Sequence, residues 1–184
     1  MDNEPPDSEL VRRAKSKELT AFEELIKRHS QALFAFMYRI LGDSAEAEEL
    51  TQETWVRAWK GLGNFKERSE FKTWLFRIGM NLALNLKTRR KVTEELTEFL
   101  PGEEKKEPAR VYQQTQKEKV IRDALAQLPV DQRTAIVLLI YERMRYKEIA
   151  EVMGKSVRAV DSLLVRAKRR LKELLLPARE KGVI

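Results

Sequence analysis

The chain contains no cysteine, which removes disulfides and thiolate metal sites. Its one histidine, His29, lies on a stretch that reads as helix. A single imidazole there is more often a surface or hydrogen-bonded residue than a ligand or a base. Glycine (7) and proline (6) are scarce among the 184 residues; no glycine-rich phosphate loop appears, and no serine or lysine sits in a nucleophile motif. The carboxylates show no pair at a catalytic spacing. An enzyme is therefore not expected: no catalytic residue, metal set, cofactor or small-molecule substrate is implied. No apolar run approaches the ~20 residues of a membrane span, and the opening MDNEPPDSEL is acidic, unlike a signal or transit peptide. The expectation is a cytoplasmic protein that is not itself a membrane protein.

Charge is what the chain has in quantity. Lysine and arginine number 36 against 29 acids, a net charge of +7, with 42% hydrophobic residues to build cores. The excess points to a polyanion, nucleic acid first and an anionic membrane second, although a merely soluble basic protein would share it.

Apolar spacing is helical almost throughout and no segment alternates for long enough to be a strand, so the fold class is all-α. Ser8 and Thr20 are candidate N-caps of two helices. Gly42 ends the second, and Asp43 or Ser44 starts a third that ends at Gly61-Leu62-Gly63. A fourth is predicted over about 70–90. Over 93–115 the pattern fails: the stretch holds Pro101, Gly102 and Pro108, is rich in glutamate, and reads as a linker with a short helical piece at 94–100. Further helices are predicted over 117–127, from an Asp131 cap through Ile140, over 146–153, and from a Ser156 cap to about Leu176, stopped by Pro177. The division is two small helical domains, 1–92 and 116–184, joined by a flexible linker at 93–115.

The segment YKEIAEVMGKSVRAVDSLLVRAKRRLKELL has the layout of a helix-turn-helix, with the turn at Gly154. Ile149, Ala150 and Met153 would pack under the second helix. On a wheel of 3.6 residues per turn, Val157, Val160, Leu163, Leu164, Ala167, Leu171 and Leu174 form the core side. Arg158, Ser162, Val165, Arg166 and Arg169 share the other side, with Lys155 and Ser156 at its N-terminal edge. Guanidinium groups, a hydroxyl and a methyl-bearing side chain are what major-groove reading uses; a solvated basic face is the plainer alternative. One or two base contacts, at about 1–3 kcal/mol each, are too few to select a genomic site. Such a module needs a second reading element or a carrier.

Two ordered blocks resemble the extracytoplasmic-function (ECF) sigma factors of the bacterial sigma-70 superfamily. The first is AEAEELTQETWVRAWKGLGNF followed by SEFKTWLFRIGMNLALNLKTRRK; the second is LPVDQRTAIVLLIYERMRYKEIAEVMGKSVRAVDSLLVRAKRRL. The likeness covers about 22–91 and 117–176. It implies a non-enzymatic transcription initiation factor whose partners are core RNA polymerase, promoter DNA and an anti-sigma factor. The N-terminal domain would recognise and melt the −10 element, and the helix-turn-helix would bind the −35 element. By the same resemblance, Glu46, Glu49, Gln52, Glu53 and Val56, outside an inner arc of Ala47, Leu50, Thr54 and Ala58, would meet the polymerase clamp. An acidic solvated face would look the same. The −10 contacts would be Asn64, Phe65, Lys66, Arg68 and Ser69 in a loop, Lys72, Trp74, Arg77, Asn81 and Asn85 on the following helix, and Lys87, Arg89, Arg90 and Lys91 at its basic end. Phe71 and Leu75 are expected in the core and Phe65 partly so. Glu67 and Glu70 put acid into the base-capturing loop, and Asp161 stands where many members carry a cation. A stand-alone helix-turn-helix regulator, with the N-terminal half for dimerisation or sensing, is the alternative.

Overall fold

The computed structural model describes residues 4–97 and 116–183. These form α1 (Asp7–Lys15), α2 (Leu19–Leu41), α3 (Ser44–Gly61), a 3-10 turn (Leu62–Asn64), α4 (Phe71–Thr97), α5 (Gln116–Ala126), α6 (Val130–Ile140), α7 (Tyr146–Met153) and α8 (Val157–Glu180). No strand occurs among the described residues, in line with the all-α expectation. Most of the proposed linker, residues 98–115, lies outside the described residues.

Local chemistry explains several helix ends. Gly42 closes α2 in the left-handed region, φ 82°, a conformation costly for residues with a Cβ. The Asp43 carboxylate accepts from the Glu46 N–H at 2.9 Å, and the Ser156 hydroxyl accepts from the Ala159 N–H at 3.2 Å. Other boundaries differ from expectation. Pro6 and Glu18, not Ser8 and Thr20, precede α1 and α2. The Pro6 carbonyl accepts from Glu9 and Leu10, which starts the helix before Ser8. The Thr20 hydroxyl instead donates to the Glu18 carboxylate at 3.2 Å. Pro129 precedes α6, its carbonyl accepting from Arg133 at 2.9 Å, so Asp131 falls inside the first turn. Helix α4 runs to Thr97, past 90, because nothing before Pro101 breaks it. Helix α8 continues through Pro177 to Glu180. Pro177 is exposed, as is Glu173, whose carbonyl loses its N–H partner to the proline.

Helix α2 is the spine of the N-terminal helices. Leu25, Leu33, Phe36, Met37 and Ile40 are fully buried against α1, α3 and α4. In the C-terminal set α6 is central. Four successive residues, Ala135, Ile136, Val137 and Leu138, are buried, as in a helix enclosed on all sides. Helices α7 and α8 pack on it as the helix-turn-helix.

The two sets of helices pack on each other, α4 against α7 and α2 against α5 and α6. Polar bonds cross this seam. Lys72 Nζ reaches Glu142 Oε2 at 2.9 Å and donates to the Glu142 carbonyl at 3.1 Å. Arg133 donates to the Ile40 carbonyl at 3.1 Å, on the last turn of α2 where the helix dipole favours a cation. The Arg39 guanidinium lies 3.9 Å over the Tyr141 ring.

Candidate nucleic-acid interface

Two surfaces carry the expected DNA contacts. The first comprises the loop after the 3-10 turn and one face of α4. Spacings of three and four residues bring Trp74, Arg77, Asn81 and Asn85 onto that face, with Arg77, Asn81 and Asn85 exposed. Its opposite face, Thr73, Phe76, Met80 and Ala83, is buried. A shallow cavity of about 400 Å³ is lined by Asn64, Trp74 and Asn81, together with Arg57, Gly61 and Ile78. Gly61 lies against the indole: a Cβ at residue 61 would meet Trp74 at 3.4 Å, an ordinary contact. Asn64, Lys66 and Arg68 are exposed and Ser69 is half-buried.

Two of the expected contacts are engaged within the protein. Phe65 is buried, not partly so: its ring stacks on Trp74 at 4.8 Å and meets Phe71 edge-on at 6.2 Å. It supports the indole from below and presents no face to a base. Lys72 is engaged at the seam by Glu142, whose side chain is 5% exposed. In this arrangement its ammonium is paired and half-buried. Phe71 and Leu75 are core, as expected. Lys87, Arg89, Arg90 and Lys91 fall on the backbone of α4, but their side chains lie outside the described residues.

The second surface is the outer face of α8. Gly154, φ 62°, turns the chain from α7 into it. Lys155, Ser156, Arg158, Ser162, Val165, Arg166 and Arg169 are all exposed. Arg158, Arg166 and Arg169 form no ion pair among the described residues, so their guanidinium groups stand in water. Lys155 is paired with Asp131 at 3.0 Å. The inner face is narrower than the wheel implied. Val160, Leu164 and Ala167 are buried, Leu163, Leu171 and Leu174 are half-buried, and Val157, the first residue of the helix, is 47% exposed.

On α3, the inner arc of Ala47, Leu50, Thr54 and Ala58 is buried. The Thr51 and Thr54 hydroxyls donate to the carbonyls of Ala47 and Leu50, each at 2.6 Å. These two buried hydroxyls are thus satisfied within the helix. Glu49 and Gln52 are exposed, Glu46 and Glu53 half-buried, and Val56 is 46% exposed.

Three contributors went unnoticed in the sequence. Arg57 lines the cavity while its Nε donates to Glu53 at 2.7 Å; its four-residue offset from Glu53 and Gly61 was a usable signal. Lys15 of α1 reaches the loop and Glu142 reaches Lys72, across 52 and 70 residues of chain, and no local pattern announces either. His29 is satisfied: its Nε2 lies 2.6 Å from Asp7 Oδ2. That bond, helped by Arg28, holds the Asp7 carboxyl below the ordinary aspartate range against the opposing effect of burial.

Known families account for this arrangement. Sigma-70 region 2 matches residues 25–93, and Sigma-70, region 4 matches residues 118–171. The RNA polymerase sigma-H factor of Pseudomonas aeruginosa is 32% identical over 93% of this chain and 94% of that protein. The RNA polymerase sigma factor CnrH of Cupriavidus metallidurans is 33% identical over 95% and 97%. Among solved structures, RpoE from Bartonella quintana, in complex with the anti-sigma factor NepR, superposes with a TM-score of 0.70 at 28% identity, covering 84% of this chain and 96% of that one. CnrH in complex with the cytosolic domain of CnrY gives 0.70 at 29% identity, over 92% and 96%. The chain belongs to the extracytoplasmic-function sigma factors of the sigma-70 family. Its function is accordingly that of an RNA polymerase sigma factor in transcription initiation. No described helix is long and apolar enough to cross a membrane.

Proposed function

We propose that the two exposed surfaces divide promoter recognition between them, in a non-enzymatic mechanism. The observation that carries this reading is their separation: the outer face of α8 and the Trp74–Arg77–Asn81–Asn85 face of α4 are both solvent-facing and belong to different helix sets. The module of residues 116–184 reads the −35 element. The module of residues 1–92 captures −10 bases through Asn64, Lys66, Arg68, Ser69, Trp74, Arg77, Asn81 and Asn85, and residues 93–115 join the two. Side chains such as Trp74, flanked by cations, suit unstacked bases. Glu49, Gln52, Glu53 and Val56 give α3 an acidic face with an apolar centre, fit for a basic protein surface on core polymerase and unfit for DNA.

Magnitudes require that larger carrier. Opening about ten base pairs at ~1.4 kcal/mol per step costs on the order of 14 kcal/mol. A flipped base and one or two stacks return about 1–3 kcal/mol each. Polymerase supplies the remainder, so the free chain binds duplex DNA weakly. The relatives solved with NepR and CnrY support an anti-sigma partner for this chain, acting with it in the cytoplasm. Run-off transcription by core polymerase on a promoter library tests the reading; absence of any transcript that depends on this chain would refute it. A stand-alone regulator would instead bind a palindromic duplex tightly without polymerase.

A further inference from the structure

The loop at residues 64–70 has little backbone support. Phe65 donates to the Leu62 carbonyl and Trp74 to the Glu70 carbonyl, but Lys66, Glu67, Arg68 and Ser69 donate no backbone–backbone hydrogen bond among the described residues. Glu67 also sits in the left-handed region, φ 54°, an uncommon conformation for a residue with a Cβ. Something other than the loop's own backbone fixes its course. That something comes from the far end of the domain sequence. Helix α1 is anchored by buried Leu10, Val11 and Ala14 and touches the 3-10 turn and α4. From its last turn, Lys15 donates to the Phe65 carbonyl at 2.7 Å and to Glu67 Oε1 at 2.6 Å, with its ammonium 5.6 Å from the centre of the Phe65 ring. The Lys15 side chain is only 25% exposed. One ammonium group therefore ties together the strained residue, the buried ring beneath Trp74 and the backbone between them.

This contact also resolves the acid in the loop. Glu67 is neutralised by Lys15, and Glu70 has Arg145 3.7 Å away. Both carboxylates have cationic partners from outside the loop, which leaves Lys66 and Arg68 as its charges without an ion-pair partner among the described residues.

We propose that Lys15 is a positioning residue for base capture. It sets the loop's conformation and cancels the Glu67 charge, so that a nucleic-acid base enters between the loop and Trp74. The inference rests on the −10 reading above. The test uses holoenzyme reconstituted from the full chain and core polymerase, on a promoter chosen from the library. 2-Aminopurine is placed in turn at each −10 position, and its fluorescence rises when it leaves the stack. Parallel competition assays compare each natural base with an abasic site.

Lys15→Gln is expected to lower the preference for the favoured base over the abasic site by about five- to tenfold and to diminish the fluorescence rise. The amount of holoenzyme formed should be unchanged. Lys15→Arg should restore part of the preference, and the exchange Lys15→Glu with Glu67→Lys should restore more than either single change. Should Lys15→Gln fail to fold, Glu67→Gln carries the same test, because it cuts the contact from the exposed side. Unchanged preference in both single variants, alongside clear loss in Asn81→Ala, overturns the role of Lys15 and leaves the −10 reading standing. No loss in either Asn81→Ala or Trp74→Ala overturns the −10 reading and this inference with it.

Discussion

Lys72 cannot be held by Glu142 and contact a DNA phosphate at once, and this sets up a measurable competition. Consider Glu142→Gln. The Lys72–Glu142 contact is 2.9 Å, with side chains 29% and 5% exposed. In Glu142→Gln the ammonium still donates to the amide, so the substitution costs only the difference between a pair with two charges and one with a single charge, a fraction of the roughly 1.5–3 kcal/mol of a charged hydrogen bond. Because Lys72 retains some contact with water, that difference is small, ~1 kcal/mol. That corresponds to about a fivefold shift in favour of a released lysine. The assay is titration of the free chain with a fluorescent single-stranded −10 oligonucleotide at several salt concentrations. Glu142→Gln should bind about fivefold tighter. Its log–log salt slope should steepen by roughly 0.7 if one further phosphate is neutralised. Lys72→Gln added to it should remove both effects. Affinity that stays the same while the unfolding midpoint falls would show that the contact is purely structural and the reasoning wrong.

Gly79 lies where α4 crosses α2, and a Cβ there would overlap Met37 Cε and fall 3.3 Å from both Leu33 Cδ1 and Thr54 Oγ1, three fully buried side chains with little room to give. Gly79→Ala should destabilise by about 1–3 kcal/mol despite its better helix propensity, read as a lower urea midpoint. Arg166→Ala should weaken promoters that depend on −35 by about 1–3 kcal/mol of discrimination and spare those with an optimal extended −10; equal losses in run-off transcription would exclude a groove contact. The lowered Asp7 value means that its stabilising effect is present above its unfolded-state value and disappears as pH falls through its folded-state value. Wild type should therefore exceed Asp7→Asn in urea unfolding at pH 5, by roughly 1 kcal/mol or less. The gap should shrink below about pH 4, the ordinary aspartate range.

The fold was legible where a local rule governs it. Gly42, Asp43, Gly154 and Ser156 end or start helices through their own backbone or side-chain chemistry, and Ala47, Leu50, Thr54 and Ala58 face inward because helical spacing puts them there. Pro177 misled, since a proline near the exposed end of a helix can be passed through, as it is three residues before the end of α8 at Glu180. The exposed members of the α4 and α8 faces could be read from spacing plus the family likeness. Phe65 could not, because aromatic and loop-borne describes a base platform and a core residue equally well; only the stack under Trp74 decides. Lys15, Glu142 and the seam between the helix sets depend on contacts between distant stretches of chain, to which periodicity is blind.

Helix α4 has two working sides. Thr73, Phe76 and Met80 look inward, with Met80 meeting the Thr134 hydroxyl of α6 across the seam at 3.9 Å, while Arg77, Asn81 and Asn85 look out. The outward row is in place while the inward side is still occupied by the rest of the protein. Undocking the C-terminal helices would leave the order of those outward side chains as it stands. Substitutions on one flank should therefore alter which sequence is chosen, and substitutions on the other how readily the molecule unfastens, so the two traits can drift apart through separate mutations of a single rod.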